Sequence, residues 1–288
     1  MAGGMPAIAP GLCIAGVRVG AGAGGALCAT GESRSILQVS RRSRAPWLLP
    51  WLAVLGTQGA EGESLTNGLT FGGNLVLTSN YIYRGVSSTN NAGAFQADLH
   101  VANTGGTFLG LWGSSRDSQL DPYADYEFVI YLGHRFDLGN AWSATLSGRA
   151  HYLTGGTQEV SDDYQEIAAA ITWLDAWTLS LTAIPNAPRY WFYDRLSRAP
   201  AFVAEMSAQW LVYDGFFLTG GAGYYHLTGT GPGIEAANGY AYGNVGIAWE
   251  HRRWRIDLGY YRTGEKAQVL MPYPSANDRF AGSIAWRF

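Results

Sequence analysis

Hydrophobic and polar positions alternate along most of the chain after residue 69. In "AWSATLSGRAHYL" (141–153), Trp142 and Tyr152 fall on one face, and Ser147 and Arg149 fall on the other. A period of two indicates β-strands, and about ten residues suffice for a tilted strand to cross a bilayer. Twelve such strands are predicted, at 69–84, 94–103, 106–115, 123–136, 141–154, 164–173, 177–185, 201–212, 216–228, 239–250, 254–262 and 279–288.

Short and long connections alternate between these strands. The short ones are 103–106, 137–140, 174–176, 213–215 and 251–253, and the long ones are 85–93, 116–122, 155–163, 186–200, 229–238 and 263–278. This order is typical of outer-membrane barrels, which have tight periplasmic turns and long extracellular loops. We therefore predict an all-β fold, an antiparallel up-and-down transmembrane β-barrel of twelve strands. Ten or fourteen strands also fit, because 94–103, 106–115 and 177–185 are the weakest segments.

One strand leaves its orientation open. In 106–115, Phe108 and Trp112 alternate with Leu109 and Leu111, so either face could point outward. The other strands separate an apolar face from a polar one. Because a polar face suits a water-filled or hydrogen-bonded interior, we expect the apolar face to contact lipid.

Large aromatic residues gather at the predicted strand ends. Near the short turns stand Phe71, Phe136, Trp142, Trp173, Trp177, Trp210, Phe216, Trp249, Trp254, Trp286 and Phe288. Near the long loops stand Tyr81, Tyr83, Phe95, Tyr152, Phe202, Tyr224, Tyr240 and Tyr260. Two such belts are typical of a barrel in a bilayer, whereas a soluble sandwich would place its aromatics in mid-strand.

Composition and charge narrow the function classes. Charged residues make up 14% of the chain, below the roughly 25% of soluble domains. Residues 1–60 carry five Arg and one Glu, so the remainder has 19 − 5 = 14 basic and 22 − 1 = 21 acidic residues, a net charge of −7. A body without a basic stripe argues against nucleic-acid binding. Cys13 and Cys28 both precede the predicted barrel, which therefore has no thiol chemistry.

The N-terminal region is predicted to carry an export signal. In "RRSRAPWLLPWLAVLGTQGAEG" (41–62), three Arg precede an apolar core, and small residues follow it. This is the pattern of a secretory signal peptide, with cleavage expected near residues 59–62. The predicted organisation is an over-extended gene start or disordered extension at 1–38, a signal peptide at 39–60, a short linker at 61–68 and the barrel at 69–288.

Alternation turns charged side chains toward the lumen. The predicted pore-lining residues are Arg84, Asp98, Asp125, Glu127, Arg149, His151, Glu166, Glu205, Arg255 and Asp257. The turn at 137–140 is expected to bring Arg149 and His151 near the acids at 125 and 127, and the turn at 251–253 to place Arg255 across from Ala248. These charges either line a narrow channel with a charged constriction or pair to fill and brace the barrel.

The sequence offers no catalytic arrangement. Covalent catalysis needs a nucleophile beside a base, but Ser147 lies four residues along the strand from His151, about 13 Å away and outside hydrogen-bond reach. No Cys/His/Asp group has the spacing of metal ligands, and no Gly-rich phosphate loop precedes a helix. We therefore predict no enzyme activity, no catalytic residue, no metal and no cofactor.

The loop "PNAPRYWFYDRLSRAP" (185–200) mixes aromatic residues with Arg. Such mixtures are typical of contact surfaces. The candidate contact residues are Arg189, Tyr190, Trp191, Tyr193 and Arg195. This loop could bind a ligand, a partner or lipopolysaccharide, fold inward to narrow the mouth, or simply pack on its neighbours.

One segment resembles a known family. "SNYIYRGVSSTNNAGAFQADL" (79–99) is similar to the Tyr-x-x-Arg-Gly-x-Ser segment of the TorF family of proteobacterial porins. The matching residues are Ser79, Tyr81, Arg84, Gly85, Ser87, Thr89, Ala94 and Gln96, whereas family members often have Asp at the place of Asn80 and Pro at that of Gly93. "GTFLGLWGSS" (106–115) resembles the family's next strand. The resemblance implies an outer-membrane location and a pore, and it assigns no functional residues.

The resulting functional prediction is a porin-like channel of a Gram-negative outer membrane that passes small polar solutes or ions by diffusion. The alternatives are a closed-lumen barrel that binds or braces through its long loops and, less favoured, a barrel-embedded hydrolase. Expected partners are membrane lipids, lipopolysaccharide, small solutes and, through the terminal strand ending at Phe288, the barrel-assembly machinery.

Overall fold

The computed structural model describes residues 63–65, 68–116, 124–155, 162–191, 195–228, 238–270 and 276–288, and nearly all of them lie in antiparallel strands. The described elements are β1 (Glu63–Leu65), β2 (Leu69–Thr78), β3 (Ile82–Tyr83), β4 (Val86–Ser87), β5 (Ala94–Asn103), β6 (Thr107–Ser115), β7 (Ala124–Gly139), β8 (Trp142–Gly155), β9 (Tyr164–Trp173), β10 (Trp177–Trp191), β11 (Arg195–Tyr213), β12 (Phe216–Leu227), β13 (Gly239–His251), β14 (Trp254–Thr263), α1 (Lys266–Leu270) and β15 (Arg279–Arg287). Within these ranges no helix is long and apolar enough to cross a membrane.

Twelve of the strands close into a barrel. Each strand from β5 to β15 pairs antiparallel with its neighbour in the chain, and β2 closes the ring by pairing with both β5 and β15. Asn74 on β2 shows the closure, because it faces Asp98 on one side and Arg287 on the other. The prediction of a twelve-strand up-and-down barrel is confirmed. Closure leaves no unpaired sheet edge, as a membrane-spanning sheet requires.

The two faces of the barrel differ as the alternation predicts. On β7, Tyr131 is 1% exposed and points inward, whereas the next residue, Leu132, is 60% exposed on the outer face. Leu77, Leu181 and Leu258 lie on the same outer face. Large exposed apolar side chains around a closed barrel form the surface that a transmembrane barrel presents to lipid.

β6 resolves the one ambiguous orientation. Phe108 and Trp112 are buried in the lumen, and Leu109 and Leu111 are exposed on the outside. Phe108 packs 6.2 Å from the ring of Tyr131 on the neighbouring strand. The bulky rings therefore fill the interior, and the leucines face lipid.

The aromatic belts are confirmed in part. Trp142, Trp210 and Trp254 lie exposed on the outer face near the short turns, and Phe95 and Tyr152 do so near the long connections. The assignment of three other aromatics to the outer belt is wrong, since these residues turn into the lumen; they are Tyr81, Tyr83 and Tyr240.

Several predicted boundaries shift. The strand predicted to reach residue 84 ends at Thr78, and the predicted loop 186–200 continues as paired strands, with register from Ala187↔Ala199 to Trp191↔Arg195. The predicted linker 61–68 includes β1, which pairs with β2. The predicted extension and signal peptide, 1–38 and 39–60, lie outside the described residues.

Candidate functional site

A hairpin enters the lumen from the loop end of the barrel. Residues 79–93, the inserted hairpin, leave the wall after β2 and return to it at β5. Their two short strands pair Ile82 with Ser87 and Tyr83 with Val86, as a two-stranded sheet separate from the barrel. The core of the hairpin is buried, with Thr89 only 1% exposed. Most of the segment that carries the family resemblance therefore lies inside the lumen, and its last residues, 94–99, belong to β5 in the wall.

Asn80 organises the base of the inserted hairpin. Its Oδ1 accepts hydrogen bonds from Ser87 Oγ at 2.6 Å and Thr89 Oγ1 at 3.1 Å, and its Nδ2 donates to Asn91 Oδ1 at 2.9 Å. The backbone N–H of Tyr81 donates to Thr89 Oγ1 at 3.0 Å. Short polar side chains satisfy turn backbone groups in this way and hold a defined shape without a long ladder.

Gly85 lets the tip of the hairpin approach the opposite wall. Its φ is +79°, a conformation that glycine adopts without steric cost. Thr263 Oγ1 donates to the Gly85 carbonyl. A Cβ on residue 85 would lie 2.5 Å from Thr263 Oγ1 and 2.7 Å from Tyr242 Cβ, so only glycine fits without displacement.

The hairpin also reaches two carboxylates on the wall. Arg84 Nη1 lies 2.8 Å from Glu166 Oε1, and Tyr83 Oη donates to the same oxygen at 2.8 Å. Tyr81 Oη donates to Glu127 Oε2 at 3.1 Å. Because β9 carries Glu166 and β14 carries Thr263, the hairpin spans the lumen from one wall to another.

Both carboxylates have further partners on the wall. Glu166 lies 3.2 Å from Arg149 Nη1, and Glu127 lies 2.9 Å from His151 Nδ1 and 2.8 Å from Arg116 Nη1. We call Arg84, Arg116, Glu127, Arg149, His151 and Glu166 the loop-side cluster. Buried charges persist only when paired, and every carboxylate here has a cationic or imidazole neighbour.

Local electrostatics keep the hairpin tip charged. Burial lowers the pKa of the Arg84 guanidinium, but the Glu166 carboxylate, together with Tyr83, Glu205 and Tyr242, holds that pKa above its ordinary value. Burial raises the pKa of the Tyr83 phenol well above its ordinary value. Arg84 is therefore a cation, and Tyr83 is a neutral donor to Glu166.

A second group of charges lies nearer the short turns. Arg255 Nη1 lies 2.6 Å from Glu250 Oε1, and its Nη2 lies 2.7 Å from Asp257 Oδ1. Arg287 Nη2 also reaches Glu250, at 3.1 Å. The expectation that Arg255 faces Ala248 is wrong, because β13 and β14 pair Arg255 with Glu250 and Asp257 with Ala248.

Asp98 forms a third lumen contact. It accepts from Tyr131 Oη at 2.6 Å and lies 2.6 Å from His100 Nδ1. All three side chains are buried. The contact joins β5 to β7 across β6, where the Tyr131 ring lies against Gly110.

The predicted pore-lining residues fall into a buried group and a half-buried group. Seven of them are buried: Arg84, Asp98, Glu127, Arg149, His151, Glu166 and Arg255. Asp125, Glu205 and Asp257 are half-buried, and Glu205 accepts from Tyr242 Oη at 2.8 Å. His151 and Arg149 do lie beside carboxylates, but Arg149 contacts Glu166.

Sequence reasoning missed two parts of the lumen. Arg116 follows β6 in a segment predicted as loop. The only local signal for a place in the lumen was its charge next to two polar residues, Ser114 and Ser115. The helix α1 lies in the predicted loop 263–278, where Ala267 and Leu270 are buried against Tyr225 and Tyr240 of the wall. This apolar cluster narrows the loop end beside the hairpin.

For the candidate contact residues of 185–200, the structure gives the strand to which each described residue belongs. Arg189, Tyr190 and Trp191 belong to β10, and Arg195 begins β11, so these residues extend a hairpin beyond the predicted strand ends. Tyr193 lies outside the described residues. Elsewhere in the described chain, no group of three His, Cys, Asp or Glu side chains is arranged to hold a metal ion.

Comparisons with known proteins find similar solved structures and one matching family. Among solved structures, the chain is similar to the NanC porin (TM-score 0.48, 9% identity, 76% of this chain and 98% of that one) and to the KdgM porin in complex with disordered oligogalacturonate (TM-score 0.44, 9% identity, 76% and 98%). It is also similar to OprD of Pseudomonas aeruginosa (TM-score 0.35, 12% identity, 80% and 69%). A search of curated proteins finds no match. Residues 61–227 match the model of a bacterial protein family of unknown function, Gcw_chp, and the chain belongs to that family.

Proposed function

We propose that this protein is a porin-like channel of a Gram-negative outer membrane that passes small polar solutes or ions by diffusion. The observation that carries the proposal is the closed twelve-strand barrel, with leucines on its outer face and paired charges on its inner face. A polar interior inside an apolar wall is the arrangement of aqueous barrels. Twelve strands lie between the small filled barrels and the wide 16-strand porins, so the passage is narrow.

The lumen supports a preference for small solutes. The inserted hairpin occupies the loop end, and Arg255 with its carboxylate partners narrows the turn end. Half-buried Asp125, Glu205 and Asp257 are the side chains proposed to meet a passing solute first. Charged side chains at close quarters select by size and by hydrogen-bonding capacity.

The proposed route to the outer membrane is export across the inner membrane followed by assembly of the barrel. The signal peptide at 39–60 would direct secretion, with cleavage near residues 59–62. Phe288, which follows β15 and exchanges backbone hydrogen bonds with Gly73 of β2, would be read by the barrel-assembly machinery, and lipopolysaccharide would surround the loop end. Membership of the TorF porins is part of the proposal, since the residues that resemble that family lie within the matched range 61–227.

A second candidate is a barrel with a closed lumen that braces the membrane or binds through its loops. The burial of the loop-side cluster favours it, because Glu127 and Glu166 are each only 1% exposed. Paired charges that fill a lumen stabilise a barrel without conducting. The two candidates share a fold and differ in whether solutes cross.

Liposome swelling separates the two candidates. The protein, purified from the outer membrane of an expressing host, is reconstituted into liposomes that are placed in isotonic glycine, arabinose or sucrose. A channel predicts fast swelling that slows as the solute grows, compared with protein-free liposomes. Barrels whose folding is verified by heat-dependent gel mobility, but which swell no faster than empty liposomes, would favour the closed lumen.

A further inference from the structure

We infer that the inserted hairpin, residues 79–93, is a displaceable plug whose departure from the lumen opens the channel. This inference rests on the proposed channel function and names its regulation. It concerns the seat that Thr263 and Tyr242 form on one wall and that Glu127 and Glu166 form on another.

The seated hairpin obstructs the lumen. Tyr81, Ile82 and Arg84 are between 3% and 5% exposed, so their side chains pack against other protein atoms and have little contact with water. Val86 packs against the apolar cluster that includes Leu270 of α1. A hydrated solute cannot cross at a level where the lumen is filled by packed side chains, so conduction requires the hairpin to move.

The hairpin can move without opening the barrel. Its strands β3 and β4 pair with each other, and Ser88 N–H donates to the Tyr81 carbonyl within the hairpin. The attachments of Arg84, Tyr83 and Tyr81 to the wall run through side chains. Displacement therefore exchanges side-chain contacts for water and leaves the ladder of twelve strands intact.

The seat remains satisfied when the hairpin leaves. Glu166 keeps Arg149 at 3.2 Å, and Glu127 keeps Arg116 and His151. An uncompensated buried charge would make the open state costly, but each carboxylate retains a partner on the wall. Displacement of the hairpin therefore leaves no uncompensated carboxylate on the wall.

The base of the hairpin has the character of a hinge. Asn90 and Asn91 are exposed and have φ of +48° and +66°, and a Cβ on exposed Gly93 would meet only the Thr78 carbonyl, at 3.4 Å. Ser79 fixes the other end, since its N–H donates to the Gly282 carbonyl of β15. Rotation near 90–93 would break the bonds of Asn91 Oδ1 to Asn80 Nδ2, at 2.9 Å, and to Arg279 Nη1, at 3.3 Å, and would swing the tip while Ser79 stays attached.

A variant whose hairpin tip cannot seat tests this inference. A Cβ on residue 85 would lie 2.5 Å from Thr263 Oγ1, so Gly85→Ala should hold the tip away from the wall. Planar-bilayer conductance is recorded for the full chain with Gly85→Ala and for wild type. Gly148→Ala, at a wall position where a Cβ would meet only the Glu166 backbone carbonyl, at 4.0 Å, receives the same treatment as a matched control.

The plug predicts larger or longer-lived current steps for Gly85→Ala than for wild type, while Gly148→Ala conducts as wild type does. Equal conductance of Gly85→Ala and wild type, with the displaced tip verified by trypsin cleavage after Arg84, would overturn the plug and leave the channel standing. A second variant replaces residues 80–92 by a short Gly/Ser turn. If this shortened barrel folds but does not conduct, the proposed channel function is refuted. If it conducts more than wild type, the plug is supported.

Discussion

Arg84 Nη1 lies 2.8 Å from Glu166 Oε1 inside the barrel. Arg84 belongs to the inserted hairpin, which follows β2, whereas Glu166 belongs to β9. Four strands, β5 to β8, separate β2 from β9 around the wall. The pair therefore bridges the lumen rather than two adjacent strands. It is one of the contacts that hold the inserted hairpin in place, beside those of Gly85 with Thr263 and of Tyr81 with Glu127.

Glu166→Gln should weaken both the hairpin seat and the barrel. Gln can still accept from Tyr83, but Arg84 and Arg149 lose their carboxylate, and breaking a buried ion pair costs about 3–5 kcal/mol. The urea midpoint of unfolding, followed by Trp fluorescence, should fall. Glu265→Gln, at an exposed position beside α1, is the control and should leave the midpoint unchanged. A Glu166→Gln midpoint equal to wild type would refute the importance of this pair.

Gly85→Ala should unseat the hairpin tip. A non-glycine residue at positive φ costs about 1–3 kcal/mol, and the added methyl also meets Thr263 and Tyr242. Limited trypsin digestion followed by mass spectrometry should reveal cleavage after Arg84, which is buried in wild type.

The matched control for this change is Gly93→Ala, at an exposed position where a Cβ meets only ordinary contacts. It should leave Arg84 as protected from trypsin as in wild type. Equal protection in the Gly85→Ala variant would contradict the close approach of the tip to β14.

Asp98→Asn should destabilise the turn-side half of the lumen. Asp98 accepts from Tyr131 and contacts His100, and an amide can serve only one of these donors through its oxygen. Leaving a buried donor unsatisfied costs about 1–3 kcal/mol, which denaturant unfolding would detect. Asp137→Asn is the control, because it lies exposed at the end of β7 and an Asn oxygen can still accept from the Gly139 N–H. Equal losses in both variants would argue against a special role for Asp98.

The stability cost of an arginine introduced on the outer face should show whether that face contacts the bilayer. Leu181 is 61% exposed on β10, and Leu181→Arg should cost about 2–4 kcal/mol if it lies in mid-membrane. Leu138→Arg adds the same charge at an exposed position beside a short turn and should cost far less. The comparison uses reversible unfolding in lipid vesicles. A similar small effect of both would indicate that this face does not contact lipid.

The strand pattern was predictable because a bilayer imposes it. Lipid on one side and a polar interior on the other require alternation, so the separation of Tyr131 from Leu132 follows from the sequence. Closure by β2 follows from an even number of antiparallel strands. The orientation of β6 did not follow, since Phe108 and Leu109 are both apolar and only packing against Tyr131 decides between them.

The inserted hairpin could not be predicted by the same reasoning. The alternation of β2 continues through Tyr81 and Tyr83, and a strand that leaves the wall for the lumen keeps the same period. Its position depends on contacts with Glu166 and Thr263, which lie far along the chain. For the same reason, the burial of α1 within a predicted loop had no local signal.

The most direct measurement is the single-channel conductance of the purified protein in a planar lipid bilayer. We expect discrete current steps that are larger or longer-lived in the barrel whose residues 80–92 are replaced by a short turn, and that are altered in size by Asp257→Asn. Folded barrels that give no steps, in both the wild-type and the shortened form, would contradict the claim that this protein is a channel.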